Sequence, residues 1–516
     1  MLLSRNIWKK WGLKCNPFDT KALTLYSDIL PISRAFVGRS VESSEFQHLL
    51  SILKNSGGGR GIVEGDIGVG KTTLVNYQRF LWEHEAEEKL FTHEREISVY
   101  GKWECKDLLI EILGHLSNKL LKILKQKKIN KNKLVKKIQS LYDIFYNESF
   151  DFGGSVFGFG FNYKNDVQIN IPNITESQLI SYLMDMVYEI KKLGYDGVFL
   201  HFDNLELLAR RDFEKCQQLF EEIRDILQLP DIYYIFVAKK GFYSQIIAPL
   251  ERVRSIIGWP VKVSPLSCKN VIKAINIRYE LLAQEATKPI KPVSDFFIEK
   301  LYKIYQGKIR FIMDSISQIM LFYKGTKKNM LKDKEAEKLF FNIVNLKTEC
   351  LSPREKEVLT TILEFDEFTN DFLAKRLKMK RPNISQILKK LEQENFIYFL
   401  RSEGRRYYYS VIDEFKVLIE FQKKEKTILQ NKMNRDTKSD FLKKLKKQDR
   451  YEKLFTYFLR HKKINRIQYE NLIGASSSTA SRDLANLVRD KKIAKKGNGK
   501  KTYYVLIRKI LNNTSH

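Results

Sequence analysis

The sequence predicts an α/β core carrying a phosphate-binding loop, a layer of helices after it, and two small modules of three helices closed by a β-hairpin. Three observations lead there. A glycine-rich run, GDIGVGKT, follows a short apolar stretch and precedes a helix-like one. Two later stretches, GVFLHFD and IYYIFVA, have the length and continuous apolar character of strands covered on both faces. From Leu351 onward the pattern changes to short helices, and each group of three runs into a glycine turn between aromatic-rich residues.

The composition fits a folded, multidomain chain. Of the 516 residues, 43% are apolar and 29% charged, which suits several packed cores and argues against disorder. No run of about 18 apolar residues is present, so no membrane-spanning helix is expected. The start, MLLSRNIWKKWGLKC, is charged where a secretion signal needs an apolar stretch, so no secretion is expected and a cytoplasmic location fits. Cys15, Cys105, Cys216, Cys268 and Cys350 stand far apart, which argues against a zinc site or a disulfide framework. Net charge is +30, and from Lys416 to the end 27 Lys and Arg face only 9 Asp and Glu. Such a basic end suits a polyanion, most simply nucleic acid.

The glycine-rich run matches GxxxxGK[ST]. Gly65, Asp66, Ile67, Gly68, Val69 and Gly70 form the loop, and Lys71, Thr72 and Thr73 open the helix TTLVNYQRFLWEHEAEEKL. Glycines let backbone N–H groups converge on phosphate oxygens, and the helix start adds its positive end. Lys71 is placed to reach the outer phosphates and the Thr72 hydroxyl to coordinate Mg²⁺. A nucleotide is therefore the expected ligand. Such a loop needs an acidic partner for the metal, and Asp203 at the end of the apolar strand is the candidate. Asn204 stands where a water-activating glutamate often follows. It can orient a water but cannot take its proton, and Glu206 two residues on is the substitute to consider.

Other segments resemble the AAA+ ATPases, and within them the origin-recognition and initiator-like branch. AFVGRSVESSEFQHLL is similar to that branch's entry motif, which implies Val37, Gly38 and Arg39 near an adenine. WGLKCNPF is similar to the lead-in of related transposition-target and secretion ATPases. LERVRSIIGWPVKVSPLS resembles the segment that carries an arginine finger, with Arg252 the best match and Arg254 its neighbour in contention. GKIRFIMD resembles the sensor-2 motif and implies Arg310 toward the γ-phosphate. Lys239 follows the strand that usually ends in a polar sensor. The resemblance, over residues 10 to 325, implies ATP and Mg²⁺ as ligands and assembly into a homo-oligomer.

SVFGFGFNYKNDVQINIP alternates aromatic with small or polar residues around Asn165-Asp166, so a β-hairpin is expected at 155–172. Its aromatic face suits packing on the core, or contact with DNA or a neighbouring subunit. LSPREKEVLTTILEF, TNDFLAKRLKM and RPNISQILKKLEQENF then read as three helices, and IYFLRSEGRRYYYSV as two strands around Gly404. This order resembles a winged helix-turn-helix, which implies Asn383, Ser385, Gln386 and Lys389 toward a major groove and Arg405 and Arg406 toward phosphate. The order recurs near the C-terminus, where Ser477, Ser478, Thr479 and Arg482 open the third helix. Lys495, Lys496, Lys500 and Lys501 there flank the turn Asn498-Gly499.

The expected organisation is an ATPase core at 1–265, a helical lid at 266–345, a winged helix at 346–415, a basic linker at 416–448 and a second winged helix at 449–516. The reading favoured is an ATP-dependent DNA-binding ATPase, initiator- or loader-like, acting on double-stranded DNA with a partner enzyme or effector. The alternatives are a nucleotide-sensing regulatory or defence switch and an ATPase-coupled transcription regulator. No Ser/His/Asp, Cys/His or HExxH arrangement points to a second enzyme.

Overall fold

A computed structural model of the chain describes residues 6–126, 174–419 and 450–507, together with 133 and 136; 56, 100–102, 210–212, 285–287, 324–328, 405, 459–460, 475 and 500–501 are not described. The hairpin expected at 155–172, most of the basic linker, and Arg405, Lys500 and Lys501 thus lie outside the described residues. The chain divides into two compact units, residues 1–418 and 419–516.

In the first unit six strands form one sheet: β1 (Gly59–Gly65), β2 (Leu90–Thr92), β3 (Ile97–Ser98), β4 (Gly197–Asp203), β5 (Ile232–Lys239) and β6 (Val261–Val263). Their order is β2–β4–β5–β1–β6, with β3 pairing β4 beyond the end of β2, and every pairing is parallel. Successive side chains of a strand point to opposite faces, and here both faces are apolar. On β5, Ile232, Tyr234 and Phe236 join one buried cluster, while Tyr233, Ile235 and Val237 join the other. This is why the strands read as unbroken apolar runs.

Helices cover both faces. α1 (Ser40–Asn55) and α2 (Lys71–Phe80) lie on the face of Val63, Phe199 and Val237. α3 (Cys105–Gln126) and α4 (Glu176–Lys192) cover the face of Ile62, Leu200 and Phe236. α4 starts at a capping box, in which Thr175 accepts from the Gln178 N–H and the Gln178 side chain accepts from the Thr175 N–H. Three short helices follow: α5 (Glu206–Ala209), α6 (Phe213–Glu222) and α7 (Glu251–Arg254). The helix expected to run through TTLVNYQRFLWEHEAEEKL is shorter. It ends at Phe80, and Leu81–Glu85 form a single π-helical turn. That turn carries Glu83 inward, where it accepts from the Tyr26 hydroxyl at 2.9 Å, the Thr92 hydroxyl at 3.0 Å and the Lys119 ammonium.

Four further helices stand beside the sheet: α8 (Cys268–Leu281), α9 (Asp295–Tyr305), α10 (Ile309–Phe322) and α11 (Asp333–Lys347). Ser267 and Ser294 cap the first two of them through their side chains. The N-terminal segment straps this helical layer to the core. Trp8 and Trp11 are buried, the Lys14 N–H donates to the Leu282 carbonyl at 2.8 Å, and Asn16 donates to the Ser317 hydroxyl at 3.0 Å.

The first unit ends in a winged helix. α12 (Pro353–Ile362) starts at Ser352, whose capping box with Glu355 and Pro at the first position explain why LSPREKE begins a helix. β7 (Phe368–Thr369), α13 (Asn370–Arg376), α14 (Arg381–Gln393), β8 (Ile397–Glu403) and β9 (Arg406–Val411) follow, with β9 central in an antiparallel sheet. Ion pairs Lys308–Asp413 and Lys347–Glu414, at 2.9 and 2.8 Å, tie it to the helical layer.

The second unit repeats the plan around its own core of Leu454, Ile464, Tyr469, Leu484 and Ile493. Residues 450–458 are helical, then come α15 (Arg466–Ile473), α16 (Ser477–Arg489) and the pair β10 (Ile493–Lys496) and β11 (Tyr503–Leu506).

Candidate nucleotide site and nucleic-acid interface

The glycine loop joins β1 to α2 at the edge where β4 also ends. Gly68 and Gly70 have φ of 83° and 99°, a backbone that side chains other than glycine rarely adopt. Gly68 also touches the helical layer: its carbonyl accepts from the Arg310 N–H at 3.2 Å, and a Cβ there would lie 3.2 Å from both Arg310 Cβ and the Phe311 ring. The loop is thus held directly against the start of α10.

Lys71 Nζ turns back onto its own loop, donating to the Gly65 carbonyl at 2.9 Å and the Asp66 carbonyl at 3.0 Å. Burial pushes its ammonium below the usual lysine value, while the Glu206 and Asp203 carboxylates oppose that shift. Thr72 Oγ1 donates to Asp203 Oδ2 at 2.7 Å, joining the two predicted metal ligands across 131 residues of sequence. Burial pushes the Asp203 carboxyl upward, and the hydrogen bonds from Thr72 and from the Asn204 N–H, the latter 2.8 Å long, work against it.

One cavity contains most of the predicted nucleotide residues. Val37, Arg39, Ile67, Gly68, Val69, Gly70, Lys71, Thr72 and Thr73 line it, with Asp203, Asn204 and Glu206 at the end of β4 and Arg310 across from them on α10. Gly65 and Asp66 lie behind the loop as acceptors for Lys71, and Gly38 turns with φ 75° against Asn270 of α8. Arg39 has a structural task as well: its guanidinium is buried and bonds Glu42 at 2.8 Å and the carbonyls of Val69 and Ser264.

Two features of the cavity escaped the sequence reading. The strap residues Asp19 to Leu23 form one wall, and buried Arg278 of α8 donates to the Asp19 carbonyl at 2.7 Å. The strap is then fixed to α2, where Asn76 Nδ2 donates to the Leu23 carbonyl at 2.9 Å. Arg278 lay within the lid-helix sequence VIKAINIRYELLA, where nothing local marks that Arg as buried. Arg252 and Arg254 do not line this cavity. Both are exposed on α7, and Arg254 donates to the Ala248 carbonyl at 3.2 Å.

A divalent ion fits the donor set. Mg²⁺ typically takes one or two protein oxygens and completes its shell with phosphate and water, and Thr72 and Asp203 offer a hydroxyl and a carboxylate in contact. Among the described residues no group of three His, Cys, Asp or Glu could hold a metal by itself, so the ion would come with the phosphates.

The two winged helices present different surfaces. On α14, Asn383, Ser385, Gln386 and Lys389 are exposed, and Asn370 donates to the Ser385 hydroxyl. Several basic groups around them are engaged: Arg381 with Asp371 at 2.8 Å, Lys390 with Glu355 at 2.9 Å, and Arg401 with Glu367 at 2.6 Å and Glu403 at 2.9 Å. The hairpin exposes Tyr398, Phe399 and Tyr407, and Arg406 opens β9 on the surface. In the second unit Ser477, Ser478 and Arg482 are exposed and Thr479 half-buried at the start of α16, with Arg466 donating to the Ser477 hydroxyl. Lys495 and Lys496 are exposed on β10.

The strand that ends in the glycine loop and the strand that ends in Asp203 are separated by β5, and a helical layer closes the site. The core is a parallel α/β sheet with the glycine loop and Asp203 at one edge. Residues 351–406 match the MarR family. Among curated proteins none matches the chain. Among solved structures, the chain is similar to the ORC1 protein of Aeropyrum pernix in complex with DNA, at 12% identity and a TM-score of 0.39, covering 76% of this chain and 95% of that one. It is similar to the ORC2 protein of Aeropyrum pernix, at 14% identity and a TM-score of 0.39, over 77% of this chain and 93% of that one. It is also similar to Cdc6p of Pyrobaculum aerophilum, at 13% identity and a TM-score of 0.35, over 78% of this chain and all of that one.

Proposed function

We propose that the chain is an ATP-dependent DNA-binding ATPase, initiator- or loader-like, in which nucleotide state controls assembly on duplex DNA and recruitment of a partner. The observation that carries this reading is the convergence of Lys71, Thr72, Asp203 and Arg310 on one cavity between the core and the helical layer. Lys71 leaves its own loop's carbonyls for the outer phosphates, Thr72 and Asp203 hold Mg²⁺, and Arg310 senses the terminal phosphate from α10. Because the Arg310 N–H already bonds the glycine loop, phosphate binding pulls on the helical layer directly. Arg252, with Arg254 beside it, serves a neighbouring copy's nucleotide, since neither faces its own. The second winged helix grips phosphate through Lys495 and Lys496 and reads DNA with the start of α16.

The test is ATP turnover by the purified chain with and without duplex DNA at two salt concentrations. Turnover stimulated by DNA, with the stimulation fading at high salt, is expected because phosphate contacts weaken as salt rises. Turnover indifferent to DNA at both salts would contradict the coupling.

A further inference from the structure

We propose that Glu206 is the carboxylate that takes the proton from the attacking water, and that Asn204 supplies the backbone turn that brings it to the phosphate site. The inference rests on the ATPase reading above and concerns what the chain does where a glutamate directly after Asp203 is missing.

The geometry begins at Asn204, whose φ of 66° lies in the left-handed region that asparagine tolerates better than most residues. Its N–H donates to Asp203 Oδ1 at 2.8 Å, and its carbonyl accepts from the Leu207 N–H at 2.9 Å. The chain therefore turns sharply after β4 and starts α5 at Glu206. Leu205 goes into the core, 1% exposed, with its N–H toward the Val237 carbonyl at 3.4 Å. Glu206, the next residue, lines the cavity with Lys71, Thr72 and Asp203.

Elimination leaves the same residue. Three carboxylates line the cavity: Asp19, Asp203 and Glu206. Asp203 accepts from Thr72 and belongs to the metal site. Asp19 sits on the strap, where its backbone carbonyl is held by Arg278. Glu96 is close enough to Asp203 to influence its charge but does not line the cavity. Glu206 is half-buried, makes no ion pair or side-chain hydrogen bond with the described residues, and is the foremost carboxylate favouring the charged form of Lys71.

In the step assigned to it, the water oxygen forms a bond to the γ-phosphorus. The bond from that phosphorus to the bridging oxygen of ADP breaks, and ADP leaves with the electron pair. The water proton passes to the Glu206 carboxylate and then to the phosphate product. A positioned general base of this kind contributes about 10²–10⁴-fold to rate.

The experiment pairs ATP affinity with single-turnover hydrolysis for the wild type, Glu206→Gln, Asn204→Gly and Asn204→Val. Glu206→Gln is expected to bind ATP within about 3-fold of wild type and to hydrolyse it at least about 100-fold more slowly. Asn204→Gly, which keeps the turn, should hydrolyse ATP faster than Asn204→Val, β-branched at a positive φ, with ATP binding kept in both. Wild-type hydrolysis by Glu206→Gln overturns the role of Glu206. Hydrolysis no faster in Asn204→Gly than in Asn204→Val, with ATP bound by both, overturns the role given to the turn. A wild-type chain that binds no ATP fails the ATPase reading itself, which keeps the two failures distinct.

Discussion

His201 sits two residues before Asp203 on β4, fully buried, and its surroundings show how single residues hold the site. Its N–H donates to His93 Nε2 at 2.8 Å, and its Nδ1 meets Asn76 Oδ1 at 3.2 Å. Asn76 also accepts from buried Arg79 at 2.9 Å and reaches the strap through Leu23. Burial, and then the Arg79 guanidinium, push both imidazoles well below the ordinary histidine value. A depressed folded pKa means that the unfolded chain takes up protons first as pH falls. The stability these two groups contribute is complete above about pH 6.5 and is lost below it. Thermal unfolding followed by circular dichroism should accordingly show a lower Tm at pH 5.5 than at pH 7.5. A Tm that is flat or rises toward acid over that window would contradict the arrangement. At Gly68, with φ 83° and Arg310 and Phe311 at 3.2 Å from a Cβ, alanine should cost about 1 kcal/mol or more. ATP affinity and Tm should both drop in Gly68→Ala, and an unaltered pair of values would show that the loop does not need the close approach.

At the scale of elements, the parts legible in the sequence are those fixed by local chemistry. The glycine spacing and the helix LSPREKEVLTTILEF with its Ser-Pro start were readable because each depends on residues within a few positions. β4 and β5 were readable because both faces are covered, so the runs are continuously apolar. The strap was not, because its partners are distant: Asn16 pairs with Ser317, and Asp19 with Arg278. The π-helical turn at Leu81–Glu85 was hidden for the same reason, since it exists to place Glu83 against Tyr26, Thr92 and Lys119. The two hairpins looked alike as sequence, yet the first has its Arg401 between Glu367 and Glu403 while the second exposes Lys495 and Lys496. Replacing Lys495 and Lys496 by Ala should therefore flatten the log–log salt dependence of DNA affinity by about 2, close to one unit per phosphate contact. Arg401→Ala should change the slope by less than half as much. Equal slopes for both variants would remove the distinction between the hairpins.

In the function proposed for the whole molecule, the glycine loop is where nucleotide state is felt and the basic C-terminal unit is where DNA is held. Lys71→Ala separates these tasks: it removes the ammonium from the phosphate site and leaves the winged helices untouched. The most direct measurement is DNA affinity by fluorescence anisotropy, with ATP, with ADP and without nucleotide, for the wild type and for Lys71→Ala. The account predicts that ATP changes the wild-type affinity relative to ADP or no nucleotide. Lys71→Ala should bind DNA with the salt sensitivity of the wild type but with no response to ATP. Wild-type affinity that is the same in all three nucleotide conditions, or loss of DNA binding altogether in a folded Lys71→Ala protein, would contradict it.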